Sequence, residues 1–160
     1  MKKVTYIYPI LLLMLITSCN KQKNQNNKSS KDIVKEYIDE VIVNKNYDLI
    51  YELVDEDFTN ELSPQYRIPF DGSVVQQGLE LHLKHIKALH ADRSINIKYL
   101  DFVEENDKVA ISMIVSHHYN DGRISTFPWI GIFEVQDGKI TKAKHVHDTL
   151  LEYIQLNEAN

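Results

Sequence analysis

A chain of 160 residues with 43% hydrophobic side chains has the length and composition of one folded domain around a single core. Its formal charge of -5 sets it against phosphate backbones and anionic lipid heads, which excludes nucleic acid as an expected partner. A single cysteine leaves no disulfide and no cysteine-built metal site.

Lys2 and Lys3 open the chain, an apolar run over 4–16 follows, and Thr17 and Ser18 lead to Cys19. The run is short for a membrane-crossing helix and fits a secretory signal. Ile16-Thr17-Ser18-Cys19 resembles the lipobox of bacterial lipoproteins, in which the signal is cut before the cysteine and the thiol takes a lipid. That resemblance implies a signal peptide over 1–18, lipidation (diacylglyceryl and palmitate chains) at Cys19, and a place in the bacterial cell envelope, on the outer or the cytoplasmic membrane. A plain signal peptide and an uncleaved anchor are the alternatives. Loss of Lys2 and Lys3 would move the charge from -5 to -7, so membrane attachment rests on the lipid rather than on the protein surface. Residues 20–30 hold no apolar side chain and read as a flexible tether, so 19–30 links lipid to domain.

The domain begins with apolar positions Ile33, Val34, Tyr37, Ile38, Val41 and Ile42 at helical spacing, which predicts a helix over 31–43 with Ser29 and Asp32 as its capping box. Asn46 is placed to cap a second helix carrying Leu49, Ile50, Leu53 and Val54, and Phe58 to Leu62 fits a short strand. Residues 63–77, with Pro64, Pro69 and Asp71-Gly72, read as a long loop. Leu79, Leu83, Ile86 and Leu89 form the stripe of a third helix over 77–91, with His82 and His90 in or beside it and His85 at its edge.

Strands are predicted over 94–104, 108–119, 124–136 and 139–147, joined by turns too short for anything but antiparallel neighbours. The third of these is apolar on both faces, so it needs a cover on each, and Pro128 inside it calls for a bulge or bend. Asp148 caps a final helix bearing Leu150, Leu151, Tyr153, Ile154 and Leu156. Three helices before a bent antiparallel sheet and one short helix after it define an α+β fold, with the three helices on the concave face and a cone that encloses a pocket.

The stretch Asp48-Leu-Ile-Tyr-Glu-Leu-Val-Asp-Glu-Asp-Phe58, the segment Asn106-Asp-Lys-Val-Ala-Ile-Ser-Met-Ile-Val115, and Thr126-Phe-Pro-Trp-Ile-Gly-Ile-Phe-Glu-Val-Gln-Asp-Gly-Lys-Ile140 resemble, in that order, SnoaL-like polyketide cyclase domains. The resemblance spans 31–156. It implies the cone of the nuclear-transport-factor-two-like superfamily, and an aldol ring closure driven by an acidic residue on the last strand. His145 occupies the position of that acid, and Glu61 the position of a histidine that often follows the first Asp-Phe pair.

The residues themselves suggest acid/base work or binding. Period two on the last strand turns Thr141, Ala143, His145 and His147 to one face and the lysines to solvent, which makes His145 the first candidate for a proton-transfer group. A structural histidine held by a tyrosine or a carbonyl competes with it, as it does for His82 and His90. On the second strand either Ile111, Met113, Val115, His117 and Tyr119 or the opposite set faces inward; the apolar run favours the first, and His117 or Tyr119 would then meet a carbonyl or enolate oxygen. Phe127, Trp129 and Phe133 form an apolar wall or, equally, a dimer interface. His82, Met113 and His147 complete the expected ligand-binding set. Metal binding by His145, His147, His82 and His90 is the competing arrangement, with Glu61 as a carboxylate. No Ser-His-Asp order, phosphate loop or zinc-finger spacing occurs, and no cofactor is expected. The partners expected are a small apolar molecule, the membrane through the lipid, and a second copy of the chain. Function divides between a binding module and a cyclase, isomerase or dehydratase that uses His145.

Overall fold

The computed structural model describes residues 28–62 and 75–158. The expected signal segment, Cys19 and most of the expected tether lie outside the described residues, as do residues 63–74 of the expected loop. Helix α1 runs as an α-helix over Ser30–Glu36 and continues as a π-helical stretch over Tyr37–Val43. Ser29 and Asp32 form the reciprocal capping box that their spacing predicts. Helix α2 is a 3-10 turn over Tyr47–Leu49 running into Ile50–Leu53, shorter than its apolar pattern suggests. Asn46 makes no side-chain cap, and Val54 is already extended, because it pairs with Ile140 instead of completing the helix.

Strand β1 is Val54–Leu62 and β2 is Val75–Gln77, which turns the end of the expected loop into sheet. Helix α3 is Leu79–Leu89. The four-strand meander follows as β3 Arg93–Glu105, β4 Lys108–Tyr119, β5 Ile124–Gln136 and β6 Lys139–His147. Helix α4, Thr149–Glu158, closes the described chain, its start capped by Asp148 Oδ1, which accepts from Leu151 N at 2.9 Å. Six strands form one sheet in the order β2-β1-β6-β5-β4-β3. The meander is antiparallel throughout, but β1 lies parallel to β6, a pairing between distant segments that no local turn signals.

Pro128 keeps its register opposite Ile114, and no bulge occurs there. On its other side β6 ends at His147, opposite Trp129, so the missing amide empties no ladder position on that flank. The only β5–β6 irregularity falls at Glu134/Val135. The β5–β6 turn is built by Asp137 and Gly138, both at positive φ, as a two-residue hairpin requires.

The inner face of the curved sheet and helices α1 to α3 share one core. Val34, Val41, Ile50, Val54, Val109 and Ile140 are fully buried within it. The sheet's outer face leaves Ile130 and Ile132 about half exposed. The architecture is the α+β cone with helices packed on its concave face and a short C-terminal helix.

Candidate functional site

Alternation along β4 and β5 decides what the cone contains. On β4 the inward set is Val109, Ile111, Met113, Val115 and His117, so the apolar run does face the core. On β5 the inward set includes Phe127, Trp129, Gly131 and Phe133. These walls enclose a cavity of about 160 Å³ between the sheet, α1 and α3. Apolar atoms supply most of its surface, with Ile38, Ile42, Ile86, Ile95 and Ile97 beside the aromatic rings.

Gly131 has a specific use. A Cβ there would lie 2.1 Å from the Trp129 ring, so the indole folds over the glycine. It thereby stacks on His145, the cross-strand neighbour of Gly131, with ring centroids 5.2 Å apart. His145 lines the cavity, and burial, helped by the neighbouring His147 and His85, lowers its pKa to about 4. The ring is therefore neutral at physiological pH and able to accept a proton.

At the end of the cavity lined by α1 and α3, His82 Nε2 meets the Tyr37 hydroxyl at 2.7 Å, and the ring packs on Phe58 at 4.5 Å. Burial, with smaller effects of His85 and His145, lowers the His82 pKa to about 3. At the other end α4 packs against β5 and delivers Glu152. Its Oε1 accepts from His117 Nδ1 at 2.9 Å and from the Tyr119 hydroxyl at 3.1 Å, and its Oε2 is 3.8 Å from His147 Nε2. Arg93, at the start of β3, lies across the Tyr119 ring at 4.3 Å and donates to the Tyr119 hydroxyl at 2.9 Å. Burial works to raise the Glu152 pKa, but the hydrogen bond and electrostatic attraction of His117, with Tyr119 and His147, hold it below the usual carboxylate value.

The sequence profile of the SnoaL-like domain matches residues 34–143, more than half of the chain. The chain belongs to the SnoaL-like family. Among solved structures it is similar to IdmH, a candidate polyketide cyclase from Streptomyces antibioticus, at 17% identity and a TM-score of 0.70, covering 81% of this chain and 99% of that one. It is similar to an LEH-like epoxide hydrolase from M. tuberculosis at 15% identity and a TM-score of 0.64, covering 81% and 90%. A candidate polyketide cyclase from Bacillus cereus shares 24% identity at a TM-score of 0.65, covering 79% of each chain. At these identities the likeness establishes the fold. A search of curated proteins returned no match.

In this SnoaL-like cone His145, His147, His117 and His82 all line the one cavity, as do Met113, Phe127, Trp129 and Phe133. Tyr119 does not line it; its hydroxyl sits behind His117, bonded to Glu152. His90 also lies away from it, with Nδ1 held by Tyr47 at 2.8 Å. Glu61 turns to the lysine face of the sheet, paired with Lys142 and Lys144. Among the described residues no cluster of three or more His, Cys, Asp or Glu is arranged to hold a metal ion.

Two site residues were missing from the sequence reading, Arg93 and Glu152. The final helix packs through Leu151, Glu152 and Gln155, while Leu150 and Tyr153 are about two-thirds exposed, the reverse of what its apolar pattern suggests. The available signal was one acid set among Leu150, Leu151, Tyr153 and Ile154, four residues after the capping Asp148. Placed there, an acid packs inward only if cations or donors await it.

Proposed function

We propose that this SnoaL-like domain is a lipid-anchored module of the bacterial cell envelope that binds a small, largely apolar molecule in its cavity. The observation that carries the reading is the cavity itself: a single hollow with aliphatic and aromatic walls, and polar groups gathered at its two ends. Anchoring rests on the lipobox resemblance at Cys19 and the polar segment after it. Protein extracted from its native membrane is expected to carry a small apolar molecule identifiable by mass spectrometry. Recovery without any such molecule would overturn the reading in favour of a protein partner. A Cys19→Ser variant is expected to leave the detergent phase for the aqueous phase, and its retention would remove the lipid anchor.

An acid/base enzyme of the cyclase, isomerase or dehydratase type is the second reading, favoured by the neutral His145 ring on the cavity wall. Incubation of the co-purified molecule with wild type and with His145→Ala separates the two. A change of mass or isomer made by wild type alone supports catalysis; retention of the unchanged molecule by both supports binding. Ile130, Ile132 and Val146, each about half exposed on the outer sheet face, fit a homodimer contact, which sedimentation would test.

A further inference from the structure

Of the described residues that line the cavity, Glu152 alone is a carboxylate. Its contact with His117 fixes a tautomer. An ionised carboxylate only accepts, so the Nδ1 of His117, 2.9 Å away, must carry the proton. Arg93 Nη1 lies 3.4 Å from the same nitrogen, but a protonated Nδ1 offers it no lone pair. Arg93 instead donates from Nη1 to the Tyr119 hydroxyl and from Nε to Asp92 at 2.7 Å. With Nδ1–H committed, an imidazole that carries a single proton keeps its lone pair on Nε2.

That nitrogen has no hydrogen-bond partner among the described residues. The ring is 6% exposed, lines the cavity, and is fixed edge-to-face against Phe127 with centroids 5.0 Å apart. An acceptor so placed is matched by a donor on the ligand, and leaving it unmatched costs affinity. The charge around it selects further. Arg93 is already faced by Asp92 and Glu152, so no cationic excess remains to receive an anionic group.

We infer that His117 Nε2, held as an acceptor by Glu152, recognises a hydroxyl group, so that the ligand is a neutral, largely apolar alcohol, phenol or enol. Glu152 is the positioning residue. The inference rests on the cavity being a small-molecule site, and it names the polar group that such a molecule carries.

The test is a matched pair of probes, 2-naphthol and 2-methoxynaphthalene, which share a ring system and differ by the donor hydrogen. Trp129 is the only tryptophan and lines the cavity, so its fluorescence reports occupancy. Titrations of the full-length protein in detergent at pH 8, above the ordinary range of imidazole, should give about tenfold tighter binding of the naphthol. His117→Phe should bring that ratio to about one while 2-methoxynaphthalene still binds; Glu152→Leu, which cannot accept from Nδ1, should lower the ratio, and Glu152→Gln, which can, should restore it. Equal affinities in wild type would overturn the inference and leave the cavity reading standing. A naphthol preference that survives His117→Phe would place the acceptor elsewhere and overturn it as well. If neither probe disturbs Trp129, the cavity reading falls and the inference with it.

Discussion

At one end of the cavity a histidine meets a phenol; at the other, a histidine meets a carboxylate. His82 is 5% exposed, bonded by the Tyr37 hydroxyl and wedged against Phe58, and both rings are neutral and surrounded by core. His117 is comparably buried, yet it faces Glu152, with Arg93 and His147 close by and α4 passing over them. The same residue type is thus part of the packing in one place and part of a charged, partly solvated cluster in the other. What differs is the partner: a hydroxyl satisfies an imidazole without charge, whereas a carboxylate brings a charge and, accepting only, fixes which ring nitrogen carries the proton.

If the Tyr37 end is structural, damage there should show first as lost stability. Phe58 is 1% exposed and fills the space behind His82, so Phe58→Ala should cost about 3–5 kcal/mol, a large part of the stability of a domain this size. Urea denaturation with an unchanged slope would show it as a lower midpoint. A cost below about 1 kcal/mol would mean that the Tyr37 end is loosely packed and that the contrast between the ends is false.

The next effect is a dependence on acid. The His82 pKa falls from the ordinary 6.5 to about 3 in the folded state, so between those values the unfolded chain binds a proton that the folded chain refuses. Its contribution is fully present above pH 6.5 and is lost as pH falls toward 3, at about 1.4 kcal/mol per pH unit in between. His90 and His145, each lowered to about 4, act in the same direction. Thermal or urea melts from pH 7 to pH 4.5 should therefore show falling stability, and His82→Phe should flatten the slope. A slope left unchanged by His82→Phe would mean that the Tyr37 end does not exclude the proton.

The difference between the ends was only half visible in the sequence. The meander could be read nearly residue by residue, because Asn120-Asp-Gly122 and Gln136-Asp-Gly138 punctuate runs whose period is two. The burial of His82 and His90 followed from their place on the stripe of α3, and the inward turn of His145 from the lysines on either side of it. The parallel seating of β1 on β6 was not legible, since it joins segments some eighty residues apart with no turn between them. Nor was the orientation of α4. Its leucines and Tyr153 suggest one packing face, but the pull of Glu152 toward His117 and Tyr119, and of Gln155 toward the backbone of Thr126, turns the helix the other way. Hydrophobic period is a weak guide for a helix of ten residues whose neighbours are polar.

The mildest substitution probes the carboxylate end directly. Glu152→Gln keeps the shape of the side chain and an oxygen able to accept from His117 Nδ1, but removes the charge. Arg93 retains Asp92 and Tyr119, so no buried cation is stranded. Because the Glu152 pKa is lowered by folding, the carboxylate contributes stability above its ordinary value near 4.5, and that contribution disappears as pH falls below it. At pH 7 the substitution should therefore cost about 1 kcal/mol or less, the cluster being partly solvated, and the cost should begin to shrink as pH falls below the ordinary value of 4.5. Urea midpoints of wild type and variant measured at pH 7 and at pH 4 would show the two starting to converge in acid. A cost that stayed constant down to pH 4 would mean that Glu152 holds α4 in place by shape alone, and the carboxylate would lose its role in orienting His117.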